Sequence, residues 1–146
     1  MSHKSHKLEG FTLVEILVVV ALIAILAAVT IIAINPAKNF ADTRNATRSA
    51  DVAQILSAVT QYTSEEGHAI GDFGAITACT VGADVIGTGD IDLGATLVDE
   101  YIVGIPMDPT TGNAADTGYT ICLTAGGRVQ IDAPSAEGGK TITVMR

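Results

Sequence analysis

The sequence predicts an α+β chain in which the second half of a long N-terminal helix covers a small antiparallel sheet of three or four strands. Three observations carry this. Ile16 to Ile34 is an apolar run of 19 residues without a charge. Val52, Ile55, Leu56, Val59 and Tyr62 recur at the three- and four-residue spacing of one helix face. Residues 119–124, 128–132 and 141–145 alternate apolar and polar positions, as half-buried strands do.

The apolar run comes first in the chain. At about 1.5 Å of rise per helical residue it reaches roughly the 30 Å thickness of a bilayer's hydrocarbon core. A secretory signal peptide is the competing reading, but its apolar region runs only about 7–15 residues, lacks acids and ends at an A-x-A-like site. Glu15 heads the run here and no A-x-A follows. A buried helix of a soluble domain is the other competitor, and no repeating polar face appears between Ile16 and Val29. The segment is read as spanning. Basic residues near a span stay on the cytoplasmic side, and Lys4 and Lys7, with His3 and His6, precede it. The N-terminus is expected inside and everything from about Asn35 outside. Of 8 Lys+Arg and 16 Asp+Glu, the first ten residues hold two and one, which leaves 6 bases against 15 acids in the remainder.

Glu15 calls for a partner, because a charge in hydrocarbon costs about 2.5–3.5 kcal/mol even on lenient insertion scales. Were the chain cut after Gly10, the new α-amino group of Phe11 would lie one helical turn from Glu15, and within reach of a neighbouring copy's acid. The alternative is a carboxylate that snorkels to the headgroups.

Lys7-Leu8-Glu9-Gly10-Phe11-Thr12-Leu13-Val14-Glu15 closely resembles the class III signal sequence of type IV pilins and pseudopilins. The shared features are a short hydrophilic leader, a terminal Gly, then Phe, Thr, Leu and an acid at the fifth position. The resemblance implies that a membrane prepilin peptidase cleaves between Gly10 and Phe11 and N-methylates the exposed Phe11. It implies that Glu15 guides subunit addition. It also implies a type IV pilin fold and a structural, non-enzymatic role. Its partners would be other copies of the chain in a helical filament, the peptidase, an inner-membrane assembly platform, and lipid before assembly. The chain would begin as a single-pass inner-membrane protein and end in a surface filament, or fimbrium. The motif covers about the first quarter of the chain.

Asn35-Pro36 breaks the helical pattern, since proline removes a backbone donor and disfavours helical geometry before it. A kink or melted turn is expected there, with helix resuming to about Ser64 and Gly67 taking the left-handed position that ends helices. One long rod results, apolar in its first half and amphipathic in its second. Lys38, Asp42, Arg44, Arg48 and Asp51 are expected as a solvated face, with intersubunit ion pairs as the alternative. Asn45-Ala46-Thr47 fits the N-x-[ST] pattern but lies mid-helix, and no role is assigned to it.

Residues 68–146 hold 13 of the 15 glycines together with Pro106, Pro109 and Pro134, so turns replace long helices. Tyr119 to Thr124 and Arg128 to Asp132 flank Ala125-Gly126-Gly127 and read as a hairpin. Thr141 to Met145 reads as a third strand. Tyr119, Ile121, Leu123, Val129, Ile131, Ile142 and Val144 supply its apolar face, for which the stripe from Val52 to Tyr62 is the cover. The connection from His68 to Met107 is long, with a short helix expected at Ala95 to Tyr101. Cys79 and Cys122 fall outside the membrane, where disulfides persist. A bond between them is expected, against the alternative of two separately buried thiols.

The whole plan is similar to that of type IV pilins: residues 1–10 as leader, 11–34 as the transmembrane and assembly half of the helix, 35–67 as its amphipathic half, 68–118 as the αβ-loop region, and 119–146 as the sheet. Two departures stand out. One disulfide partner comes from the αβ-loop, and no proline lies inside the apolar helix. Ile105-Pro106-Met107-Asp108-Pro109, followed by Thr110-Thr111-Gly112, resembles the turn before the sheet in major pseudopilins, some of which bind calcium nearby. The secretion or competence pseudopilin therefore stands as an alternative.

Asp90-Ile91-Asp92-Leu93-Gly94 lacks the closing Glu of an EF-hand. A looser Ca²⁺ site from Asp84, Asp90, Asp92, Asp108 or Asp116 is the less favoured reading beside solvated acids, so no metal and no cofactor are expected. Once the leader is removed, His68 is the sole histidine, and neither a catalytic triad spacing nor a P-loop or dinucleotide glycine pattern is present. A sequence pI near 4.6 argues against nucleic acid as a partner. Outside the filament class, the competing function is a single-span membrane-anchored binding module.

Overall fold

The computed structural model describes residues 10–146. The leader before Gly10, including His3, Lys4, His6, Lys7 and the first residues of the signal motif, lies outside the described residues. The described chain falls into two compact units that meet at Asn39 and Phe40.

In the first unit, α1 spans Leu13–Ile34, 22 residues from which proline, glycine and charge other than Glu15 are absent. It is long and apolar enough to cross a membrane. Its last residue is followed by Asn35, whose φ of 45° is left-handed. Asparagine tolerates that region better than other side chains, which suits it to closing a helix. The same residue opens the next one: α2 runs Pro36–Ser64, the Asn35 Oδ1 accepts the Lys38 amide at 3.4 Å, and Pro36 sits at the first helical position, where no donor is missed. The break expected at this dipeptide is present, as a double cap.

In the second unit, α2 buries Val52, Ile55, Leu56, Ala58, Val59 and Tyr62, the anticipated stripe. Gly67 is left-handed at φ 94°. The sheet has four antiparallel strands in the order β1-β2-β3-β4: Asp84–Val85, Thr120–Leu123, Val129–Asp132 and Thr143–Met145. Ile121 faces Ile131, and Ile131 faces Val144, so one apolar row crosses three strands. Tyr119, Ile121 and Ile131 lie in one core with the α2 stripe, joined by Phe73, Ile86, Leu93 and Leu97 from the long connection.

Three details depart from the sequence reading. The fourth strand, β1, comes from the connection expected to be loop, and two residues are too short to show a periodicity. The short helix α3 covers only Gly94–Leu97, because Val98 turns extended and Asp99 takes φ 76° to close a turn through its amide to the Ile102 carbonyl. The last strand starts at Thr143 rather than Thr141, although Ile142 still accepts from the Ala133 amide at 3.0 Å.

Candidate processing and assembly site

Gly10, Phe11 and Thr12 precede the first helical residue, and Gly10 and Phe11 are exposed, Phe11 by 79 %. The Gly10–Phe11 peptide bond is thus non-helical and open, the state in which a peptide bond can be drawn into a protease. Thr12 is the helix cap: with extended backbone, its Oγ1 accepts the Glu15 amide at 3.2 Å. Thr12-x-x-Glu15 is the spacing of a capping box, a signal that sequence reading passed over when it treated Thr12 only as part of a motif. Glu15 is exposed in the first turn, where a negative charge complements the positive end of the helix. No residue of α1 is buried. A helix apolar on every side, with none of its residues buried among the described residues, is suited to lipid or other protein around it.

The charges on α2 are the main correction. They were expected as a solvated face; instead the stripe of Val52 to Tyr62 extends backward through Arg48 and Asn45, both buried. The Arg48 guanidinium places all five of its N–H groups. Nε reaches Asp108 Oδ2 at 2.6 Å, Nη1 reaches Asn45 Oδ1 at 3.1 Å and Glu137 Oε1 at 2.9 Å, and Nη2 reaches Asp108 Oδ1 at 3.3 Å and Thr110 Oγ1 at 2.9 Å. Glu137 also takes the Arg44 fork, and its backbone exchanges two bonds with the Asn45 amide. Lys140 pairs with Asp42 at 2.6 Å. Asp51 accepts from the Tyr119 hydroxyl at 2.6 Å. These contacts fasten two remote segments, the turn at Asp108 and the strap at 137–140, to one helix. The spacing that marks the apolar face also reaches Arg48 and Asn45, so their burial was legible; their partners were not. Asn45, the sequon residue, is consumed in this network.

Burial alone would raise the Asp108 carboxyl, but hydrogen bonds from Arg48 and from Thr110 and Thr111 overcome it and hold the group far below the carboxylate range. The Arg44 and Arg48 hydrogen bonds lower Glu137 to about 2. Burial, then the bond to Asp51, pushes the Tyr119 hydroxyl well up.

Each candidate calcium-site acid is engaged in local structure. Asp84 accepts from the Thr77 amide and hydroxyl, Asp90 from the Val85 amide, Asp92 from the Gly94 and Ala95 amides, and Asp116 from the Gly118 amide. Among the described residues no three His, Cys, Asp or Glu side chains gather as a metal site. Cys79 and Cys122 form a disulfide, with an S–S distance of 2.12 Å. Cys122 sits between Ile121 and Leu123 and so points to the opposite sheet face from them. It is nonetheless 1 % exposed, because residues 77–79 run along β2, with Cys79 donating to the Leu123 carbonyl at 2.9 Å.

No curated protein and no solved structure matches the chain. Residues 7–33 match the family model described as the prokaryotic N-terminal methylation motif. The match spans the open Gly10–Phe11 bond, the Thr12 cap, Glu15 and nearly all of α1. This motif is the class III signal of type IV pilins, and it marks the chain as a type IV pilin-like or pseudopilin-like protein.

Proposed function

We propose that the protein is a structural subunit, a pilin, of a type IV pilus-like surface filament. The observation that carries the proposal is the methylation motif on a helix with no buried residue. Before assembly, α1 lies in the inner membrane with the leader on the cytoplasmic side. Prepilin peptidase cuts between Gly10 and Phe11 and methylates the new amine. An assembly platform then transfers the subunit from lipid to a bundle of identical helices, where van der Waals packing replaces acyl chains. In that apolar setting Glu15 is costly unless neutralised, and the Phe11 amine of a neighbour is the complementary charge. The domain on α2 and the sheet then forms the outer surface, held by the Arg48 network and the disulfide.

N-terminal mass spectrometry of the mature protein tests the processing: a chain beginning at methylated Phe11 is expected, and an intact Gly10–Phe11 bond overturns it. Sheared cell-surface filaments containing the protein are expected from wild-type cells and are lost with Glu15→Ala. A protein that stays wholly in the membrane fraction would favour the anchored binding module instead.

A pseudopilin of a secretion or competence apparatus is the second reading, supported by the resemblance of Ile105 to Gly112 to the turn before the sheet in major pseudopilins. The two differ in partners rather than in local chemistry, so neighbouring genes for a retraction ATPase or for a secretion channel discriminate them.

A further inference from the structure

The chain has three phenylalanines. Phe73 lies in the core and Phe11 belongs to the processing motif, but Phe40, near the start of α2, stands outside the core at 64 % exposed. Its place in the chain puts it at the edge of the apolar helix. The Asn39 side chain donates to the Ile34 carbonyl at 3.1 Å, so residue 39 is folded back on the last residue of α1. Phe40 follows one peptide later, with about 3.8 Å between the two Cα atoms. The stretch below it is free of charge: Glu15 and Lys38 flank it, and its one hydroxyl, on Thr30, bonds back to the Ala27 carbonyl at 2.9 Å. Residues 16–37 make about 33 Å of helix, against a hydrocarbon core of about 30 Å and a headgroup layer of about 5–7 Å on each side. With Glu15 at one boundary of the bilayer, Lys38 and Phe40 therefore come to the headgroup layer of the other.

We infer that Phe40 is an interfacial anchor: while the chain is held in the membrane, its ring lies among the lipid headgroups at the outer boundary of the bilayer. This rests on the membrane stage of the filament reading above. Helical side chains lean toward the N-terminus of their helix, so the ring leans back toward α1 and the acyl chains rather than away from them. Aromatic side chains collect at this level of a bilayer, where an apolar body meets a wet boundary. Lys38 is exposed and has no ion pair among the described residues, and its stem and ammonium suit the same layer, where lipid phosphates are the partners at hand. Headgroups surround a spanning helix, so the two side chains need not share a face. The backbone is prepared for the boundary as well, since Asn35 and Asn39 occupy the Lys38 amide and the Ile34 carbonyl where the apolar run ends. Glu15 resists being drawn into the hydrocarbon from one side, and Phe40 with Lys38 resists it from the other. The span is thereby fixed in depth until the subunit is extracted.

The chain contains no tryptophan, so Phe40→Trp keeps an aromatic ring and makes position 40 the sole indole. The full, uncleaved chain is reconstituted at low density in vesicles of phosphatidylethanolamine and phosphatidylglycerol. Three results are expected together: emission shifted to the blue of N-acetyltryptophanamide, acrylamide quenching several-fold weaker than for that free amide, and stronger quenching by lipids brominated near the headgroup than by lipids brominated near the chain ends. A vesicle-bound chain whose indole is quenched by acrylamide like the free amide overturns the anchor and leaves the filament reading standing. So does an indole shielded from acrylamide yet untouched by brominated lipid, which is the behaviour of a ring packed on protein, or one quenched most strongly from the chain ends. A chain that does not float with the vesicles overturns both the anchor and the membrane stage of the filament reading.

Discussion

Arg48 and Asp108, 60 residues apart in sequence, meet as a two-pronged ion pair, Nε to Oδ2 at 2.6 Å and Nη2 to Oδ1 at 3.3 Å, with neither side chain open to solvent. Removing one partner of such a pair strands the other in a dry site. Arg48→Ala is therefore expected to destabilise the domain by about 3–5 kcal/mol, measured by denaturant unfolding of the detergent-solubilised chain. Arg48→Lys recovers little of this, since an ammonium cannot reproduce the planar fork to Asp108 or reach five acceptors.

Acid should release the strap. Glu137 has a folded pKa of about 2 against an ordinary 4.5, and Asp108 is lowered as well. Depressed carboxylates contribute stability that is fully present above their unfolded pKa and is lost as pH falls toward the folded one. Stability is thus expected to be level with respect to these groups above pH 5, and to decline from about 4.5 toward 2. Glu137→Gln should be less stable at neutral pH and show a shallower decline. A decline no shallower in Glu137→Gln would remove that residue from the acid response.

The disulfide closes a loop of 43 residues, for which chain entropy gives about 4 kcal/mol. The double substitution Cys79→Ser/Cys122→Ser is expected to lose most of that and to expose residues 77–79 to hydrogen exchange before α2. Exchange that stayed equal in the two segments would show that the bond does not hold the loop edge to β2.

Gly118 adopts φ 79°, and a Cβ there would stand 2.6 Å from the Asp108 Cβ. Gly138 shares the left-handed backbone at φ 68° but has open space around it. Gly118→Ala should therefore cost clearly more than Gly138→Ala, whose cost is confined to about 1–2 kcal/mol of backbone strain. Comparable unfolding midpoints for the two would contradict the close approach.

Sequence periodicity located the helices, the hairpin and the apolar row through Ile121 and Ile131, because those elements are long enough to repeat. It missed β1, since Asp84–Val85 is two residues long and exists only by pairing with β2. It placed Arg48 in solvent because charge usually belongs there; only the fold brings Asp108 and Glu137 to it. The methylation motif matched at residues 7–33 was readable residue by residue, whereas Thr12 as a cap was visible only as a spacing to Glu15.

Asn35 gives the N-terminal helices separate lives. Because it terminates one ladder of backbone bonds and starts another, α1 and α2 do not share a single cooperative helix–coil unit. The last turn of the apolar helix and the first turn at Pro36 are separately capped, so each can fray without the other. The junction is a firebreak for the backbone ladder: fraying of the segment before Asn35 has no shared run of helical hydrogen bonds along which to pass into the segment after it.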